Sequence, residues 1–264
     1  MQGMTFGFGA LEIEFWRWVF LMTRIGAALL AAPFFGTANV APQVRVSMAA
    51  AIALLVANWT HATAPVALFS LAGFVAVLGE VVIGLMLGFV LQFAFAAPTI
   101  AAELIGGGMG MGLAATIDPN TGSHSPALGQ YFTVILTLVF LGLGCHLQWI
   151  ALVVRSYEVL PPGHVLGAGG IGAGQFAQMA GFGSALFATA VAMALPVTLV
   201  LLLIQIVAGV LSRSAPALNL FALGLPSAIV AGFAAMVASA PMLTDRMMAL
   251  SAQAVADAAR LVGG

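Results

Sequence analysis

The amino-acid sequence predicts an all-α, integral membrane-type protein of about six hydrophobic segments, several of them broken. Three observations predict it. The 264 residues are 62% hydrophobic and only 6% charged, and the mean hydropathy is +1.15; a soluble domain averages about 25% charged residues. Such a composition cannot cover a water-exposed surface, so the chain belongs in lipid, in an apolar assembly, or in both. The apolar residues fall in long runs, and about 20 in succession are enough to cross a bilayer. Several runs are interrupted by proline or glycine, and several carry one charge. Broken helices occur where a backbone lines a path and also in subunits packed mostly against other subunits, and the pattern alone leaves both open.

The same totals exclude other classes. The basic residues are all arginine, the net charge is -1, and no basic stripe is present, so nucleic acid is not an expected partner. The lone Cys145 excludes an internal disulfide framework and a CxxC metal site. Met1 to Met4, followed by Glu12 and Glu14, lacks the positive start of a cleavable signal peptide. The length suggests a single domain, 1–264.

Taken in order, the first apolar run is Phe15 to Phe35. It carries Arg17 and Arg24, and Pro33 breaks it near its end. A charge at mid-membrane costs at least about 2.5 kcal/mol, so Arg24 is expected to face protein or an aqueous cavity, with snorkelling to an interface as the alternative. Gly36 to Pro42 reads as a turn, and Val46 to Trp59 as a run short for a span, with Trp59 an interface anchor. Val66 to Ala97 is too long for one straight span, with a natural break at Gly79 and Glu80. Gly84 and Gly88 form a GxxxG pair that lets helices approach closely. Pro98 is expected to start a new helix to Ile105, carrying Glu103.

A stretch unlike any other follows. Gly106, Gly107, Gly108, Gly110 and Gly112 alternate with Met109, Met111 and Leu113. It is too glycine-rich for an ordinary membrane helix, since glycine costs about 1 kcal/mol relative to alanine, and too apolar for a solvated loop. Such a segment persists only if protein buries it or it lines a cavity, which marks it as a candidate moving part. Asp118 and Pro119 begin a polar turn. Leu128 to Val154 is the next run, and residues 163–175 read as a flexible linker. Phe176 to Leu211 is a long uncharged run with Pro196 inside, expected as two pieces or one kinked helix and closed by Arg213. Leu220 to Met242 is broken at Gly224 to Pro226. Leu243, Met247, Leu250, Ala254, Ala258 and Leu261 then mark a one-sided helix.

Motifs with chemical associations fail on context. Gly110 to Ala115 matches GxGxxA, but no strand precedes it and no acid follows at the required distance. His146 has no ligand-type residue one helical turn away, and reads as a buried histidine hydrogen-bonded across helices. Asp118, Ser123 and His124 share one polar turn without a nucleophile-elbow context. No enzyme chemistry, metal or cofactor is expected. Glu80 and Glu103 are lone acids in apolar surroundings. They fit a proton relay or, better, structural pairing with an arginine such as Arg24 or Arg45, or with a partner subunit.

The joint pattern resembles the FliR family of flagellar export-gate subunits, homologous to the SctT subunits of virulence injectisomes. The residues that carry it are Glu103 to Gly106, Met109 to Leu113, Ile117 to Pro119, Leu128 to Gln130, Gly144 to Leu147, Ser156, Leu160 and Pro161. Earlier matches are Arg24 to Gly26, Pro33 to Gly36, Pro42 to Arg45, Glu80, Gly84 and Gly88. Later ones are Leu195, Pro196, Gly209, Arg213, Pro216, Asn219, Phe221 and Gly224 to Pro226. Ala217 departs from the family's usual glutamine, and Leu113 stands where relatives often place an aromatic nearby.

The resemblance implies helical hairpins in a single copy of this chain, packed with FliP-like and FliQ-like subunits into a funnel in the bacterial inner membrane and flagellar basal body. FlhB-like and FlhA-like export proteins are implied neighbours, and unfolded exported proteins the cargo. It implies that segment 106–119, with Gly106, Gly107, Gly108, Met109, Gly110, Met111, Gly112 and Leu113, is the pore plug. Arg24, Arg45, Glu80, Glu103 and Arg213 are then buried charges or subunit contacts, and Gly84 and Gly88 helix-packing positions. Asp118, Pro119 and Leu128 to Gln130 favour the flagellar branch over the injectisome one. The contrasting class is a stand-alone small-molecule or ion transporter, which an internal inverted repeat would favour; none is evident.

Overall fold

A computed structural model describes residues 8–36, 40–59, 70–111, 126–163, 172–214 and 220–263. These residues form α-helices and turns and contain no strand. The helices are α1 (Phe8–Ala31), α2 (Pro42–Trp59), α3 (Leu71–Gly108), α4 (Pro126–Gly142), α5 (Cys145–Val159), α6 (Ala173–Ser214) and α7 (Leu220–Leu261). Pro42 and Pro126 open their helices, where a missing N–H costs nothing and φ is already helical.

Several expected breaks are absent. α3 runs unbroken through Gly79, Glu80 and Pro98, and α7 through Gly224 to Pro226 and through Pro241; α6 passes through Pro196 as one helix, one of the two forms expected for that run. An interior proline costs about 3 kcal/mol. Ending a helix instead leaves eight backbone groups without intrahelical partners, and in apolar surroundings each unsatisfied group costs several kcal/mol. Continuation is the smaller penalty. The run Leu128 to Val154 is divided instead: α4 stops at Gly142, Gly144 takes φ +68°, and α5 begins at Cys145. The expected linker ends early, since Ala173 to Gln175 already belong to α6; residues 164–171 lie outside the described part.

Three helices, α3, α6 and α7, are long and apolar enough to cross a membrane, and α4 with α5 would add a fourth crossing as one broken span. α1, which carries Glu12, Glu14, Arg17 and Arg24, and α2 are not among them. At 1.5 Å per residue, the 42-residue α6 is about 63 Å long, roughly twice a 30 Å hydrocarbon core.

The described residues form two compact units. One comprises the chain up to Gln92, Gly144–Phe182 and Gln253 onward. Here α1 and α2 pack as a hairpin, tied by the Arg17 guanidinium and Trp18 indole N–H donating to the Ala57 and Ala50 carbonyls at 2.9 and 3.0 Å. Its core is Phe20, Leu21, Ile25 and Leu29 of α1, Ala53 and Val56 of α2, Leu87 and Leu91 of α3, and Trp149 of α5. Trp149 donates its indole N–H to the Leu87 carbonyl at 3.0 Å.

The second unit comprises Phe93–Leu143 and Gly183–Ala252. The later half of α3 packs on α4 through Phe95 against Phe140, edge to face at 5.6 Å, and through a Thr99–Thr133 hydroxyl contact at 3.3 Å. Ala190, Met193, Val197 and Leu201 of α6 and Ala235 and Met236 of α7 are buried in it.

Candidate functional site

The glycine stretch is built as the end of a helix. Gly106, Gly107 and Gly108 form the last turn of α3, and Met109 to Met111 turn away from it. Met109 N–H donates to the Ile105 carbonyl, Met111 N–H to Gly106 and Gly110 N–H to Gly107, all at 3.0 Å. The crossed Met111-to-Gly106 and Gly110-to-Gly107 pair, with Gly110 at φ +77°, is a Schellman motif. Only a residue without Cβ takes that left-handed position cheaply.

The expected loose loop is therefore, through Met111, an ordered helix terminus. The helix-propensity deficit of the three glycines is offset by packing on both sides, since Ile105 and Met109 are each 0% exposed. Gly112 and Leu113, with the rest of segment 106–119, lie outside the described residues. Two cavities of this unit meet the turn. A cleft of about 450 Å³ is lined by Met111 with Leu128, Tyr131 and Phe132 of α4 and Phe233, Met236 and Met247 of α7. A groove of about 290 Å³ is lined by Gly107 to Gly110 with Gln205, Ala208 and Gly209 of α6 and Gly224 and Ala228 of α7.

A second cluster, within the other unit, is organised by Arg24, which is 0% exposed. Its Nε–H donates to Glu80 Oε2 at 2.7 Å. Nη1 donates to the Ser156 carbonyl at 2.8 Å and its Oγ at 3.0 Å, and Nη2 to the Leu160 carbonyl at 2.9 Å. Those carbonyls lie at the C-terminus of α5, where the helix dipole favours a cation. The Tyr157 ring stacks on the guanidinium at 4.2 Å, a cation–π contact, while its hydroxyl donates to the Leu21 carbonyl at 2.5 Å. The second Glu80 oxygen accepts the Gly163 N–H at 3.1 Å. The ion pair thus ties α1, α3 and the end of α5 together, with most of its donors and acceptors in use.

Gly84 and Gly88 of α3 face α1. A Cβ at Gly84 would stand 2.8 Å from Ala27 Cβ, and one at Gly88 2.7 Å from the Ala28 carbonyl oxygen. These two glycines bring the helices close enough for Arg24 to reach Glu80.

The remaining charges are placed differently. Arg45 is half-buried and donates to the Val40 carbonyl at 2.7 Å. Arg213 is exposed near the end of α6. Glu103 is exposed on α3, and pairs with no arginine among the described residues, whose ion pairs are Glu14–Arg17, Glu80–Arg24 and Asp257–Arg260. It lies in the other unit from Arg24 and Arg45. His146 is half-buried, and its Nδ1 has no hydrogen-bond partner, so that nitrogen does not make the expected cross-helix bond. Among the described residues no cluster of three metal-ligating side chains occurs.

Sequence reasoning missed Gln205 and Gly232. Gln205 Nε2 donates to the Gly108 carbonyl at 2.9 Å. Gly232 of α7 faces the Met109 side chain, where a Cβ would stand 2.6 Å from Met109 Cγ. The signal for Gln205 was present, as an amide inside an otherwise apolar run; Gly232 looked like any other glycine in a helix.

Residues 15–254 match the family model described as bacterial export proteins, family 1. The flagellar biosynthetic protein FliR of Escherichia coli (strain K12) is 30% identical, over 88% of this chain and 86% of its own. Its counterpart in Pectobacterium carotovorum subsp. carotovorum is 33% identical, over 83% and 80%. That of Bacillus subtilis (strain 168) is 29% identical, over 80% of each chain. A membrane-type, all-helical chain matched over nearly its whole length belongs to family 1 of the bacterial export proteins, the FliR family, and is a component of the flagellar protein-export gate.

Proposed function

We propose that this chain forms, with FliP-like and FliQ-like subunits, the inner-membrane channel through which unfolded flagellar proteins leave the cell, and that it catalyses no reaction itself. The observation that supports this best is the apolar surface the chain leaves uncovered. In α6, Phe176, Phe187, Val191, Leu199, Ile206 and Leu211 are all at least half exposed, along about 50 Å of helix. A helix that overshoots the bilayer by about twofold cannot place all of that surface in lipid, so neighbouring subunits are the natural cover.

In this reading the glycine turn and the segment after it close the channel before export, and FlhB-like and FlhA-like proteins act beside the assembled gate. The buried Arg24–Glu80 pair keeps the chain's shape and carries no protons. Glu103 and Arg213, exposed in the isolated chain, meet partner subunits. The location is the flagellar basal body.

Two experiments test it. Tagged chain purified in mild detergent should bring down two other small membrane proteins and be unstable without them. A stable lone monomer or symmetric dimer would support a stand-alone transporter instead. Deleting Gly107 to Leu113 should leave the complex assembled but make cells leak small ions or dyes. A sealed membrane around an assembled deletion complex would end the plug assignment.

A further inference from the structure

We infer that Gln205 and Gly232 are positioning residues that latch the glycine turn in place. The argument begins with backbone accounting. A helix leaves its last four carbonyls without intrahelical donors. For α3 these belong to Ile105, Gly106, Gly107 and Gly108. The turn's own N–H groups reach the first three, from Met109, Met111 and Gly110. The fourth, Gly108, is reached by Gln205 Nε2 at 2.9 Å. α6 thus supplies the last partner at the end of α3, through an exposed side-chain amide.

The second contact is steric. Met109 is 0% exposed although it lies in a turn. Its side chain fills a notch in α7 that exists because residue 232 has no Cβ. An added Cβ would meet Cγ and Cε at 2.6 Å and Sδ at 2.9 Å. Cγ is only two bonds from Cα, so moving only the tip of the methionine does not relieve the clash. The whole side chain must leave the notch.

The two contacts act on adjacent residues, Gly108 and Met109, and hold them to two different helices. The glycines around them give the turn backbone freedom, and the latch takes that freedom away. Movement of this turn therefore begins with loss of the Gln205 hydrogen bond and withdrawal of Met109 from Gly232. Its significance for export rests on the reading of this turn as part of the closing element.

The test has two readouts, one on the assembled complex in detergent and one on intact cells. Hydrogen exchange of the peptide covering residues 105–111 reports the latch itself. Leakage of small dyes into cells reports the closing role. Gln205→Leu removes one hydrogen bond and should speed exchange about fivefold. Gly232→Ala should speed it about tenfold, as overpacking forces Met109 out. Adding Met109→Ala to Gly232→Ala should bring exchange back to within about twofold of Met109→Ala alone, because the clash is gone.

Unchanged exchange in both Gln205→Leu and Gly232→Ala overturns the latch, as does a double variant in which the two effects simply add. If Gly232→Ala does not assemble, Gln205→Leu and the double variant still decide. Faster exchange with leakage supports both latch and closing role. Faster exchange with a sealed membrane supports the latch and overturns the closing role of the turn.

Discussion

Glu80→Gln tests the buried ion pair most directly. The carboxylate and guanidinium are both 0% exposed and 2.7 Å apart, so no water screens either partner. Glu80 also holds the Gly163 N–H through its other oxygen. Glutamine keeps one acceptor and replaces the other with an NH2 donor. In one orientation it sets that donor against Arg24 Nε–H, in the other against Gly163 N–H, and in both the guanidinium loses its counter-charge. Breaking a buried pair from one side costs about 3–5 kcal/mol. At 2–4 °C per kcal/mol for a chain of comparable size, the thermal midpoint should fall by about 6 °C or more. The assay is the melting of the detergent-purified complex, followed by size-exclusion chromatography, together with its yield. The double variant Arg24→Met/Glu80→Met removes the stranded charge and should melt above Glu80→Gln. A Glu80→Gln complex with wild-type midpoint and yield would refute the structural role, and loss of the pH dependence of export in that same complex would assign Glu80 to a proton relay. A double variant that melts below Glu80→Gln would refute the charge argument.

Three other expectations follow from the packing. Gly84→Ala and Gly88→Ala should each destabilise by about 1–3 kcal/mol, because the new Cβ drives α3 away from α1, whereas Gly26→Ala, with nothing within 4 Å of its Cβ position, should be neutral or stabilising by about 0.5–1 kcal/mol; thermal midpoints of the three complexes check the contrast. Gly110→Ala forces a Cβ into a left-handed position and should cost about 1–2 kcal/mol, seen as faster hydrogen exchange at Met111 and not at Trp149. Trp149→Phe keeps most of the ring volume but leaves the Leu87 carbonyl without its side-chain donor, so a loss of about 1–3 kcal/mol is expected in the same melting assay.

The reasons some features were legible in sequence and others were not are physical. The Gly84–Gly88 spacing declares itself because three intervening residues put both glycines on one helical face. Arg24 declares its need for a partner through the cost of a buried charge. Which acid answers that need is set 56 residues away by how α1 and α3 pack, and Glu103 was as good a candidate on composition alone. The glycine stretch misled because propensity is local while burial is not. Five glycines offer several places for a helix to end, and only the backbone bonds single out Gly110. Pro98 and Pro226 misled in the same direction, since a lone proline signals a stop in water but costs less than a helix end in an apolar setting. The break at Gly142 to Gly144 was overlooked because a short glycine pair inside a hydrophobic run is weaker punctuation than proline.

The length of α6 has a consequence for the cell. Its exposed leucines and valines extend along a helix that a bilayer can shelter for only about half its length. A copy made without partners carries that sticky face into the cytosol or periplasm, where it aggregates or is taken by proteases. Synthesis of this chain therefore has to keep pace with that of its partners, and surplus production from a plasmid should be toxic or futile unless the partner genes are raised with it.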